Sequence, residues 1–160
     1  MTDLDKKLIL RTCVLAEESR KEGNHPFAAL LADEDGNILL EQKNEFKTGG
    51  SAYHAETLLT LKAARLYSPE KLKTCTLYSN FEPCCMCTGA IYWANIGRIV
   101  YGASEKDLLS YTKDNDENPT FNLSSREVIS RGQKDIVVEG PVEDEEILKR
   151  VLSSHDGFWS

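Results

Sequence analysis

After an early hairpin the chain alternates helix-length and strand-length segments, and this alternation restricts the possible folds more than any other feature. Helical patterns run from His54 to Tyr67, Cys84 to Ala94, Ser125 to Arg131 and Val142 to Ser153. Short apolar runs at Thr76 to Asn80, Ile99 to Gly102 and Ile136 to Val138 lie between them. Such alternation implies right-handed crossovers and parallel strands with helices on both faces. Ahead of it, Leu4, Leu8 and Leu15 mark a helix over Asp3 to Glu22, stopped by Gly23. Phe27 to Ala32 and Ile38 to Gln42 read as a hairpin around Asp33-Glu34-Asp35-Gly36-Asn37. Glu45 to Ser51 and Tyr111 to Leu123 have loop chemistry, with a short helix at Ser104 to Leu109. The expected architecture is α/β: a mixed five-stranded sheet in a three-layer α/β/α sandwich, one domain over residues 1–160.

A chain of 160 residues can bury a core without disulfides. No apolar run reaches the roughly 18–20 residues that span a bilayer, and the charged N-terminus lacks the apolar centre of a signal peptide. A cytoplasmic location is therefore expected, with no membrane partner. The net charge of −7, with an acidic stretch from Glu139 to Glu146, disfavours nucleic acid, whose binders neutralise phosphates with basic surfaces. A small-molecule substrate fits better.

The cysteines are Cys13, Cys75, Cys84, Cys85 and Cys87, an odd number with three inside four positions. That pattern points to metal or redox chemistry rather than a disulfide framework. Cys13 and Cys75 read as buried thiols. Cys84 and Cys87, three apart on a helical turn, put both sulfurs on one side, and His54 at the start of another helix completes a triangle. Three such ligands suit one Zn2+ per chain with a tetrahedral position left open, as catalytic zinc requires. Cys85 points about 100° away on the same turn. Glu56, two residues after His54, can project beside the open position and handle protons without binding the metal.

These motifs carry a resemblance. Pro26-Phe27-Ala28-Ala29, His54-Ala55-Glu56 and Glu82-Pro83-Cys84-Cys85-Met86-Cys87-Thr88-Gly89-Ala90-Ile91, in order between Leu8 and Gly102, resemble the cytidine deaminase superfamily. Within it, they resemble the branch holding bacterial guanine deaminases, yeast-type cytosine deaminase and tRNA adenosine deaminases. The resemblance implies hydrolytic deamination of a nucleobase, nucleoside or related aminated heterocycle of guanine, cytosine, isoguanine or aminotriazine type, with release of ammonia. It assigns His54, Cys84 and Cys87 to zinc and Glu56 to the proton shuttle. It places the Ala55 and Cys84 backbone N–H groups near the substrate, Asn44 on the base and Phe27 on the pocket wall. It also implies a homodimer.

The residues outside those motifs admit two readings each. Asn44 is alternatively a turn residue, and Phe27 a core residue. His25, before Pro26, either faces the pocket and helps to choose the substrate or is an ordinary loop histidine. Asn80 either faces the pocket or closes a turn. Glu82 either accepts backbone N–H bonds or caps its helix. Tyr92 and Trp93 suit a core or a dimer contact. The terminal Phe158-Trp159 pair would be wasted in solvent, and related deaminases close their pockets with C-terminal aromatics, so both are expected to form a lid or to dock on the protein itself. A tRNA adenosine deaminase is the alternative function, although Ala103-Ser104-Glu105-Lys106-Asp107 departs from that branch. A catalytically silent zinc-binding module is the other, and the intact Glu56 argues against it.

Overall fold

In the computed structural model, which describes residues 1–160, five strands form one sheet in the order β2-β1-β3-β4-β5. The elements are α1 (Asp3–Lys21), β1 (Ala28–Ala32), β2 (Ile38–Lys43), α2 (Phe46–Gly49), α3 (Ala55–Leu66), α4 (Pro69–Lys73) and β3 (Thr76–Phe81). They continue with α5 (Cys85–Ala94), β4 (Arg98–Ala103), α6 (Glu105–Thr112), α7 (Ser125–Ser130), β5 (Val137–Glu139) and α8 (Glu145–Ser153). β1 pairs antiparallel with both β2 and β3, whereas β3, β4 and β5 are parallel. This is the mixed sheet that a hairpin followed by helix–strand alternation demands.

Strand periodicity sorts the core into two layers. Leu30 and Ala32 of β1 pack with Leu8, Ile9 and Cys13 of α1 and Val151 of α8. Ala29 and Leu31 face the opposite way, onto Leu59 of α3 and Ile91 of α5. β1 is therefore buried at every position, which explains a run with no polar residue.

Local chemistry sets the ends of the elements. Thr2 and Asp5 form a reciprocal cap at the start of α1. In the hairpin turn, the Asp33 carboxylate accepts the N–H groups of Asp35 and Asn37, and Gly36 supplies a φ of +83°. α8 begins at Glu145, not Val142, because Pro141 precedes it and the Asp144 side chain accepts the N–H groups of Glu146 and Ile147. Single-turn helices α2 and α4 occupy stretches that the sequence marks as turn or helix end; Ser68 caps α4, with Pro69 in its first turn. No helix is long and apolar enough to cross a membrane.

One buried ion pair ties α1 to the sheet. Asp5 is 1% exposed and takes a two-pronged bond from Arg98 at 2.9 and 2.7 Å and another from the Tyr78 hydroxyl at 2.6 Å. Burial works to raise its pKa, but the bonds from Arg98 and Tyr78 outweigh it and hold the carboxyl well below the usual range.

Candidate active site

Two helix N-termini meet at the C-terminal end of β3. His54 is the N-cap residue of α3 and Cys84 that of α5, both with extended backbone, so their side chains project beyond the helices. Cys87 follows on the first turn of α5 and is fully buried. The His54 Nδ1 lies 3.5 Å from each sulfur, and the sulfurs are 3.7 Å apart. Zinc bonds of about 2.3 Å to sulfur and about 2.0 Å to nitrogen, opened to a tetrahedral angle, separate donors by roughly 3.5–3.8 Å. The three donor atoms thus match three corners of a zinc tetrahedron. Cys85 lies outside the triangle, as its position on the turn requires.

The electrostatics suit thiolate ligands. Hydrogen bonding to Cys87 and His54 pulls the Cys84 thiol down to about 4, while burial pushes Cys87 up. Positive ends of two helix dipoles face the sulfurs. Thr57 adds a contact with no signal in the sequence: its hydroxyl donates to the Cys87 sulfur at 3.1 Å.

Beside this triangle is a cavity of about 290 Å3. Phe27, Phe81, Leu108 and Phe121 supply apolar wall; His54, Glu56 and Cys84 open onto it. Glu56 is 5% exposed, and burial raises its carboxyl to about 7 against the lowering effect of His54. No lysine or arginine lines the cavity, whereas Glu56, Glu82, Glu105 and Glu117 do. Burial, with Cys84 and Glu56 adding repulsion, pushes Glu105 up to about 9.

Asn44, Phe27 and His25 all reach the cavity. The Asn44 carbonyl oxygen accepts the N–H groups of His25 and Phe46 at 3.3 and 2.8 Å, leaving its NH2 without a partner in the chain. The His25 ring stacks on Phe46 with centroids 4.1 Å apart and approaches Glu117 at 3.5 Å. Burial outweighs that carboxylate and lowers the His25 pKa.

Other residues fall elsewhere. Ala55 is fully buried and its side chain belongs to the α3 core. Asn80 does not face the cavity: its side chain accepts from Ala28 N–H at 3.1 Å and donates to Pro26 O at 3.0 Å, fixing the segment that carries Phe27. Glu82 accepts backbone N–H bonds, from Glu105 at 3.0 Å and Ser125 at 2.8 Å. Phe158 and Trp159 pack behind His25 rather than on the cavity wall, with ring centroids 5.8 and 4.9 Å from it. The cover over the cavity comes instead from Glu117 to Phe121, the loop between α6 and α7. A polar stretch with Asn118-Pro119 gave no sign of this, because only the fold brings it over the site.

Residues 2–103 match the cytidine and deoxycytidylate deaminase zinc-binding region. The chain belongs to this family. A probable cytosine deaminase of Schizosaccharomyces pombe is 33% identical over 162 residues, covering 99% of this chain and 94% of its own. A guanine deaminase of Bacillus subtilis is 37% identical over 99 residues, 61% of this chain and 63% of that protein. The solved guanine deaminase of Nitrosomonas europaea superposes with a TM-score of 0.72 at 24% identity, over 94% of this chain and 84% of that one, which shows the shared fold. As a member of the cytidine deaminase family with a His/Cys/Cys zinc site, the chain is a zinc-dependent deaminase, a hydrolase.

Proposed function

We propose that this deaminase acts on a free nucleobase, with cytosine the first substrate to test, guanine next and nucleosides behind them. The observation that carries this reading is a small, largely apolar cavity holding the buried Glu56 carboxyl beside a three-cornered zinc site. Its volume lies at the low end of ligand pockets, about 300–1,000 Å3, which suits a flat ring. With glutamates and no lysine or arginine on the wall, the pocket offers a phosphate no partner, which favours a neutral base over a nucleotide or the anticodon loop of a tRNA. Similarity to the S. pombe protein runs the full length of the chain, through the cover loop and the C-terminal tail, and this supports cytosine ahead of guanine.

His54, Cys84 and Cys87 would hold the zinc, which would supply a water acidified to a pKa of about 7. Glu56 is placed to take that water's proton. With its own pKa lifted by burial, it can pass the proton to the ring nitrogen beside the amino-bearing carbon, making that carbon electrophilic. As the water's oxygen bonds to that carbon, Glu56 would take its second proton and deliver it to the amino group, so that the C–N bond breaks, ammonia leaves and an oxo base remains. The Asn44 NH2 is free to hold a ring acceptor, Phe27 gives the ring a wall, and His25 stands at the same rim. The backbone N–H of Ala55 belongs to the same reading, while Asn80, Phe158 and Trp159 act behind the wall rather than on the base.

The reading includes a homodimer. Trp93, on α5, is 80% exposed, a large apolar side chain that a partner subunit would cover. A dimer mass in light scattering is expected.

Ammonia release from cytosine, guanine, isoguanine, adenine, aminotriazines and the corresponding nucleosides tests the function. Turnover of a free base above that of its nucleoside is expected. Ammonia from none of them would refute the reading.

A further inference from the structure

Three carboxyl side chains besides Glu56 line the cavity, and two have evident employment. Glu82 is consumed by the N–H groups of Glu105 and Ser125 and by the Ser125 hydroxyl at 2.7 Å. The Glu117 side chain is 55% exposed and turns toward His25. Glu105 differs from both. It is 5% exposed, it opens onto the cavity, and its carboxyl oxygens hydrogen-bond to no group of the chain. Its backbone, by contrast, is clamped: Glu105 N–H is held by Glu82, and Ser104 caps the helix that Glu105 begins.

A largely buried side chain whose carboxyl oxygens open onto the cavity with no partner in the chain calls for an explanation. A ligand that completes its hydrogen bonds supplies one. We propose that Glu105 is a second substrate-binding carboxyl of the pocket, reading a paired N–H and C=O on the ring edge of an aminated base and so setting which base the site accepts. This rests on the deaminase reading above. The chemistry suits a lactam edge, because a carboxyl held neutral by its burial offers one O–H donor and one C=O acceptor. Free cytosine presents such an edge at N1–H and C2=O; its nucleoside, substituted at N1, does not. A base lacking the pair leaves Glu105 unsatisfied, and that penalty is how a polar site rejects the wrong ring.

The test is calorimetric binding and ammonia release with the zinc-loaded full chain, using cytosine, guanine and their nucleosides as probes. Glu105→Met should weaken the preferred base about 10- to 100-fold and flatten the ranking among bases. It should leave the melting temperature unchanged or raised, because the Glu105 carboxyl makes no hydrogen bond within the chain. Glu105→Gln, which keeps a donor and an acceptor in place, should lose far less affinity. Wild-type affinity and ranking in Glu105→Met would overturn the proposal, and so would a fall in melting temperature that parallels the loss of binding, since that is the mark of a structural role. A wild-type chain that binds a base yet releases no ammonia refutes the deaminase reading while the binding comparison still judges Glu105. A wild-type chain that binds none of the probes overturns both.

Discussion

The Trp159 indole N–H donates to His155 Nδ1 at 2.9 Å, and His155 Nε2 lies 2.8 Å from the Pro26 carbonyl. The penultimate residue is thereby joined, through one buried imidazole, to the loop that presents His25 and Phe27. The Trp159 carbonyl also accepts from Asn115 on the cover loop at 2.9 Å. The tail braces the pocket from outside rather than closing over it.

Truncation should therefore act through stability and loop position. Trp159→Ala removes a side chain only 7% exposed and orphans His155 Nδ1, which should cost about 3 kcal/mol. KM should rise with it as the cover loop loosens. Phe158→Ala, at a half-buried position, should cost much less. Melting curves and steady-state kinetics of both variants check this. A Trp159→Ala protein with wild-type stability would refute the brace.

Glu56→Ala should keep its zinc and lose turnover by at least about 10²-fold, since general acid–base catalysis typically contributes 10²–10⁴. Metal content by atomic absorption and ammonia release measured on the same sample separate the two effects. Turnover within tenfold of wild type in a zinc-loaded variant would remove Glu56 from its assigned role.

The metal triangle and the fold were legible because local rules carry them. Cys84 and Cys87 share a turn, His54 and Glu56 share a helix start, and helix–strand alternation fixes the parallel half of the sheet. Asn80 and the tail were not legible. Asn80 sits in a fully buried strand, so whether its amide meets substrate or backbone depends on the Pro26 to Ala28 segment packed beside it. Phe158 and Trp159 read correctly as residues that need cover, but only the packing of His155 shows which side of His25 they occupy. Glu105 reads simply as the start of a short helix, and its lack of a partner emerges only when Glu82 is seen to bind its backbone instead.

Thr57→Val should weaken zinc affinity about tenfold, because partners that hydrogen-bond to a ligand typically contribute 10- to 100-fold. The Thr57 hydroxyl is the donor to Cys87 within the triangle, and valine keeps the shape without the bond. Competition with a chromophoric chelator measures the change. Unaltered affinity would make the contact incidental.

Acid should destabilise the protein in two stages that can be assigned to separate residues. His155 is buried and uncharged, with burial lowering its pKa to about 3. The unfolded chain protonates this residue near pH 6.5 while the native one does not, so its contribution is complete above about pH 6.5 and drains away below it. Asp5 is held below its unfolded pKa by Arg98 and Tyr78, so its contribution is complete above about pH 4 and is lost as the pH falls further. Each group accounts for a slope of up to about 1.4 kcal/mol per pH unit in its own window. His155→Gln, which can still accept from Trp159 and donate to Pro26 O, should flatten the curve between about pH 6.5 and 4 relative to wild type. Asp5→Asn should cost about 3 kcal/mol at neutral pH by leaving Arg98 underpaired, and should flatten only the region below about pH 4. Denaturant unfolding of the zinc-loaded proteins across pH 3–8 distinguishes the windows. An unchanged slope between pH 6.5 and 4 in His155→Gln would show that the buried imidazole is not the group that titrates there.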